Sequence, residues 1–250
     1  MKQFMIAMLV MATLAGCKKD KDITPDAPET ENKKITAVNS VYDDGSGYAE
    51  TYTYNAQGAI IGYTDEDDNY TFNYQSPTSL HITRKLKTTG EITLTYECTM
   101  NQTGEITKQV FIYPNGNIAQ TTEYEYNAEG YVIREKTTAP NYNNDYHYEY
   151  ANGNPVSFKR YVSGNLDRTG LYTVFANISN KSGFAFGGHW LGMFGKSFKN
   201  MVKEQKVFDK NGVQIGHTVN EIQCNAQGYA TVIKSTYQNN STQTCTYTFQ

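Results

Sequence analysis

A short turn sequence that keeps returning is what most constrains this chain. Tyr54-Asn55-Ala56-Gln57-Gly58-Ala59-Ile60 recurs as Tyr126-Asn127-Ala128-Glu129-Gly130-Tyr131-Val132 and as Cys224-Asn225-Ala226-Gln227-Gly228-Tyr229-Ala230. Met100-Asn101-Gln102-Thr103-Gly104-Glu105-Ile106 and Phe208-Asp209-Lys210-Asn211-Gly212-Val213 are looser copies, while Tyr113-Pro114-Asn115-Gly116 and Tyr150-Ala151-Asn152-Gly153 are tighter ones. Asn or Asp stands where each turn begins, and glycine falls where the backbone needs positive φ. With β-forming residues on both sides, these segments are hairpin turns.

The flanks alternate with period two. Tyr52 and Tyr54, then Tyr70, Phe72 and Tyr74, then Tyr146, Tyr148 and Tyr150 share one phase, and Thr51, Thr53, Thr71, His147 and Glu149 take the other. An aromatic face opposite a hydrophilic one is the mark of a half-buried antiparallel strand. No helical run of convincing length interrupts the pattern, and Pro77, Pro114, Pro140 and Pro155 all fall at or beside turns, as a sheet requires. The reading is an all-β fold, an antiparallel up-and-down meander of about 12–14 strands forming a strongly curved sheet or barrel, because an open sheet is hard to extend beyond ~10 strands.

Such a meander raises the question of a membrane-spanning barrel. That would need Leu, Val and Phe on the lipid side of most strands, whereas the buried-type face here is mainly Tyr, whose hydroxyl prefers a wet or hydrogen-bonded edge. The sequence therefore favours a barrel or curved sheet in water.

The N-terminus supplies an address. Lys2 gives a positive start, residues 4–15 are almost wholly apolar, and small residues precede Cys17. Residues 1–16 thus read as a cleaved signal peptide, too short to span a bilayer with a helix of about 20 apolar residues. Residues 17–35 follow as Cys17 and a flexible tether, mixed in charge and containing Pro25 and Pro28, with too little apolar surface to order itself. Residues 36–250 form a single β-meander domain with an irregular insert at about 177–206. The whole chain carries 22 basic and 25 acidic residues. Loss of Lys2 with the signal leaves 21 and 25, or −4, which disfavours nucleic acid as a partner.

Leu14-Ala15-Gly16-Cys17 resembles the lipobox of bacterial lipoproteins, in which the cysteine thiol takes a diacylglyceryl group and the freed amine is acylated. That resemblance implies lipidation of Cys17, attachment to a membrane through that anchor, and an outer-membrane location facing the periplasm or the cell surface. Two or more acyl chains hold stably, each buried methylene contributing about 0.8 kcal/mol. The charged run after Cys17 loosely resembles export signals of Bacteroidetes surface lipoproteins, which are usually more acidic. Together with Leu191-Gly192-Met193-Phe194-Gly195-Lys196-Ser197-Phe198-Lys199-Asn200, the tyrosine-rich hairpin repeats behind a lipobox resemble Bacteroidetes lipoproteins whose domain of unknown function is described as porin-like. The likeness implies a curved β architecture in the envelope and carries no mechanism.

The insert holds the sole tryptophan. Phe186, His189, Trp190 and Phe194 lie there among glycines, and they can be read as a ligand-binding aromatic platform for a glycan or peptide. The competing reading is an apolar plug over an open end or edge of the sheet, with a short helix at 196–206. The plug is preferred, because exposing so much apolar surface would invite aggregation.

Weaker signals point elsewhere. Asp145, His147 and Glu149 share one strand face at a spacing that suits metal ligands, yet any solvated face shows the same pattern. Asp65-Glu66-Asp67-Asp68-Asn69 lacks the glycine and spaced ligands of a calcium loop and reads as an acidic turn. Cys98 and Cys224 fill positions held by Tyr in sister repeats and point into the core, while Cys224 and Cys245 lie on strands separated by a third, beyond disulfide reach. A Cys98 pairing stays open. The four histidines are scattered and no nucleophile-elbow sequence occurs. No cofactor, metal or catalytic residue is assigned, and a non-catalytic binding or structural module with a glycan, peptide or envelope protein as its ligand is the leading expectation. An extracytoplasmic hydrolase and a carrier of a small amphipathic ligand are the alternatives.

Overall fold

The computed structural model describes residues 33–184 and 193–250. Sixteen antiparallel strands run in chain order: β1 (Ile35–Tyr42), β2 (Gly47–Tyr54), β3 (Ile60–Thr64), β4 (Asp68–Ser76), β5 (Ser79–Leu86), β6 (Ile92–Met100), β7 (Ile106–Ile112) and β8 (Ile118–Tyr126). Then follow β9 (Val132–Ala139), β10 (Tyr142–Ala151), β11 (Asn154–Val162), β12 (Asn165–Ser179), β13 (Asn200–Asp209), β14 (Gln214–Cys224), β15 (Ala230–Tyr237) and β16 (Thr242–Phe249). Each strand pairs with its sequence neighbours, and β1 pairs with β16 from Ile35↔Phe249 to Tyr42↔Gln243, so the sheet closes into a barrel. The expected all-β meander is present, with two strands beyond the upper expectation. No helix occurs among the described residues.

The repeated turn owes its shape to one side chain. Asn127 Oδ1 accepts from Glu129 N at 3.1 Å and Tyr131 N at 3.0 Å, while Asn127 N donates to Tyr131 O and Gly130 N donates to Asn127 O. Asn55, Asn101, Asp209 and Asn225 hold their own loops in the same way. Turns without this signature account for the extra strands. Ser163-Gly164 joins β11 to β12 with φ of 49° and 81°, the two positive angles of a tight hairpin.

In an up-and-down barrel, every connection from an even to an odd strand falls at one end. The β2/β3, β6/β7, β8/β9 and β14/β15 turns therefore share a rim with both chain ends, where Lys34 and Gln250 pair through their backbones at 3.2 and 3.0 Å. The described parts of the insert between β12 and β13 are bonded across this rim. Met193 O accepts from Ile106 N, Lys196 N donates to Gly130 O, Lys199 N donates to Gly153 O, and Ser182 Oγ accepts from Ala230 N. Met193, Phe194 and Phe198 are buried. The apolar plug is thus what the described part of the insert forms. Its irregular stretch is shorter than expected, since β12 runs to Ser179 and β13 starts at Asn200. The helix expected over 196–206 does not form: from Asn200 onward the chain pairs with β12, starting at Ser179↔Asn200, and ladder bonds satisfy its backbone.

Above the plug lies a core of Ile35, Ile60, Leu80, Ile82, Met100, Ile106 and Val132. Next comes a belt of rings: Tyr52 to Tyr63 at 5.2 Å, Tyr63 to Tyr70 at 5.0 Å, Tyr70 to Tyr96 at 6.3 Å and Tyr96 to Phe111 at 4.7 Å. A barrel of 16–18 strands ordinarily leaves an aqueous lumen. Here plug and tyrosines fill one end of it.

The outer wall is charged. His81 Nδ1 lies 2.8 Å from Glu97 across β5 and β6, Arg134 of β9 bridges Glu125 of β8 and Asp145 of β10 at 2.8 Å each, and His217 of β14 meets Glu204 of β13 at 2.7 Å. Charged residues on a lipid-facing wall cost up to ~2–4 kcal/mol each near the bilayer midplane. The barrel also exposes large apolar side chains, among them Val41, Ile118, Leu171 and Val213.

Candidate functional site

At the end opposite the plug the lumen stays open as a chamber of about 580 Å³, within the range of small-molecule sites. Period-two alternation aims its wall inward: Tyr48 and Glu50 from β2, Tyr63 from β3, Asp68 and Tyr70 from β4, Arg84 from β5, Tyr96 from β6. Gln109 and Phe111 of β7, Gln120, Thr122 and Tyr124 of β8, and Glu135 and Thr137 of β9 complete it. Its floor is Phe194 of the plug, whose ring lies 4.9 Å from that of Tyr124.

Three buried or half-buried carboxylates define the electrostatics. Glu50, 5% exposed, accepts from Tyr52 Oη at 2.9 Å and Tyr63 Oη at 3.0 Å. Asp68, 1% exposed, pairs through Oδ2 with Arg84 Nη2, while its Oδ1 and Arg84 Nε have no hydrogen-bond partner. Glu135 is met by Tyr148 Oη at 3.4 Å, and burial raises its pKa above the ordinary carboxylate value more than that hydrogen bond lowers it. Burial also pushes the phenols of Tyr63, Tyr70 and Tyr124 up, so they stay protonated donors.

Of the residues expected to bind ligand, Phe194 is the chamber floor. Phe186, His189 and Trp190 lie outside the described residues, as does Cys17. Asp145, His147 and Glu149 share the outer face, but their partners are side chains of the sheet: Asp145 is held by Arg134, and Glu149 accepts from Ser157 Oγ at 2.6 Å. The acidic segment at 65–69 is only partly a turn. Asp65 Oδ1 accepts from Asp67 N and Asp68 N, whereas Asp68 already belongs to β4 and points inside. No disulfide joins Cys98, Cys224 and Cys245 among the described residues, and Cys98 is buried beside Gln109 Nε2 at 3.6 Å. None of the described histidines lines the chamber.

The chamber carboxylates escaped sequence reasoning, although a signal existed. Glu50 keeps phase with Tyr48, Tyr52 and Tyr54, and Asp68 with Tyr70, Phe72 and Tyr74. A charge in the aromatic phase of a strand points into the barrel.

Comparison with solved structures recovers this architecture. A porin-like protein from Bacteroides uniformis superposes with a TM-score of 0.68 over 86% of this chain and 96% of its own, at 15% sequence identity. The fold is shared. A second porin-like protein, from Bacteroides vulgatus, gives 0.65 over 87% and 99% at 10% identity. No protein-family model and no curated protein matches the sequence.

Proposed function

We propose that this chain is a lipid-anchored envelope protein whose barrel is a non-catalytic binding vessel, with the chamber as its working part. The observation that carries this reading is the division of the lumen. One end is crossed by the bonded, described part of the plug, beside which a cavity of about 590 Å³ is lined by Lys34, Tyr54, Met100 and Met193, and the other is a tyrosine-walled cavity with polar groups placed at fixed points. A barrel built only as scaffold would gain stability by filling that space. A lipid carrier would line its cavity with Leu, Ile and Val, so the Tyr-rich wall favours a ligand that carries polar groups. Against the hydrolase reading, the chamber hydroxyls of Thr122 and Thr137 lie 3.0 Å from each other, and Glu135 is met by the phenol of Tyr148.

The chain enters the barrel at the plugged rim. An anchor at Cys17 would therefore hold that rim nearest the bilayer and leave the mouth facing away. Lys33, Lys34, Lys181, Lys196 and Lys199 stand at the plugged rim, while Asp43, Asp44, Asp65, Glu66 and Asp67 stand at the mouth. The basic end suits anionic lipid headgroups.

Metabolic labelling with a fatty-acid analogue tests the anchor. Label should enter the wild-type chain and vanish in Cys17→Ser, and an unlabelled wild type would refute it. The vessel is tested by thermal-shift screening of a small-molecule library against wild type and Gln120→Trp, whose indole would project into the chamber and take up part of it. Hits that shift only the wild type support it; no hit, or equal shifts in both proteins, would overturn it.

A further inference from the structure

We propose that the chamber takes a small organic cation, an ammonium group carried on an apolar body. This inference rests on the vessel reading above and specifies its ligand. Wall and mouth together carry Glu50, Asp65, Glu66, Asp67, Asp68 and Glu135 against a single cation, Arg84. The rings of Tyr63, Tyr70, Tyr96 and Tyr124 line the same chamber. Rings attract a cation placed over the face within ~6 Å, and more strongly when water is excluded.

The wall already receives one such charge. Arg84 Cζ lies 5.9 Å from the centroid of the Tyr70 ring. A second observation points to a missing donor: Asp68 is 1% exposed on the chamber wall, and its Oδ1 lacks a hydrogen bond. Buried carboxylate oxygens are ordinarily satisfied, and leaving one unmet carries a desolvation cost that an N–H donor would relieve. Glu50, Asp68 and Glu135 come from three separate strands, β2, β4 and β9, while Asp65, Glu66 and Asp67 form one turn. Among the described residues no three His, Cys, Asp or Glu side chains converge as a metal ion would require. The exposed Glu66 and Asp67 at the mouth would raise the local concentration of a cation.

Three probes of one shape separate charge from fit: phenethylamine as cation, 2-phenylethanol as neutral analogue and phenylacetate as anion, each titrated calorimetrically into the full folded domain. The cation should bind at least about tenfold more tightly than the alcohol, and the anion more weakly still. Glu135→Gln should weaken the amine at least about fivefold while leaving the alcohol unchanged, and Gln120→Trp should abolish amine binding. Melting curves on each variant separate lost binding from lost folding. If the alcohol or the anion binds as well as the amine and is lost in Gln120→Trp, the cation inference is overturned while the vessel stands. Amine binding that survives Gln120→Trp overturns both, and silence from all three probes overturns the inference alone.

Discussion

Tyr63 donates its hydroxyl to Glu50 at 3.0 Å, inside a barrel where Glu50 is 5% exposed. The carboxylate thus sits in the aromatic layer of the core, and phenols take part of the place of its hydration. Hydrogen bonds to charged groups contribute about 1.5–3 kcal/mol each. Tyr63→Phe should destabilise the domain by that amount in urea unfolding, with the slope unchanged. Tyr52→Phe should do likewise, and the double variant should deviate from additivity, because both donors serve one acceptor.

Glu135 gives the barrel a defined pH response. Its pKa is raised by burial, so the folded state holds that proton more tightly than the unfolded chain does. The associated stability is present in full below the unfolded value of about 4.3 and is lost as pH rises through the higher folded value. Glu135→Gln removes this loss. The variant should melt higher than wild type at pH 7 and should show no such advantage at pH 4.

The plug depends on a glycine. At Gly195, with φ of +79°, an added Cβ would lie 2.5 Å from Gly130 O and 2.7 Å from Tyr126 Cε1. The same Gly130 carbonyl accepts from Lys196 N at 2.8 Å, so the clash strikes the bond that ties plug to rim. Gly195→Ala should cost about 1–3 kcal/mol and open the plug to limited proteolysis before the strands are cut.

Cys98 should be inert. Burial pushes its thiol up to about 12, against about 8.5 for a free cysteine, and the thiolate is the reactive form. Alkylation of the native protein at pH 8, read peptide by peptide, should be slower at Cys98 than in urea on the order of a thousandfold.

Much of the fold was legible in the residues. The Asn-x-x-Gly turns are local devices, each closed by its own first side chain, so their sequence reports their structure directly. The Tyr and Thr alternation reports its two faces equally well, since side chains of a strand point in turn to opposite sides. Tight turns such as Ser163-Gly164 carry a weaker signal, and strands between them were harder to count. The site was less visible. Asp68 looks like one more acid of an exposed turn until β4 is seen to begin at that residue, and Glu50 reads as a solvated charge unless its phase is followed.

By itself the sequence determined the strand-forming character, the turns and the division into wet and aromatic faces, because each rests on interactions within a few residues. Closure of β1 on β16, with partners more than 200 positions apart from Ile35 to Phe249, was decided only in three dimensions. So was the chamber, whose wall draws residues from eight strands and whose floor comes from the plug. No local pattern encodes such a cavity: it is the space left when a barrel of this strand number is filled from one end only.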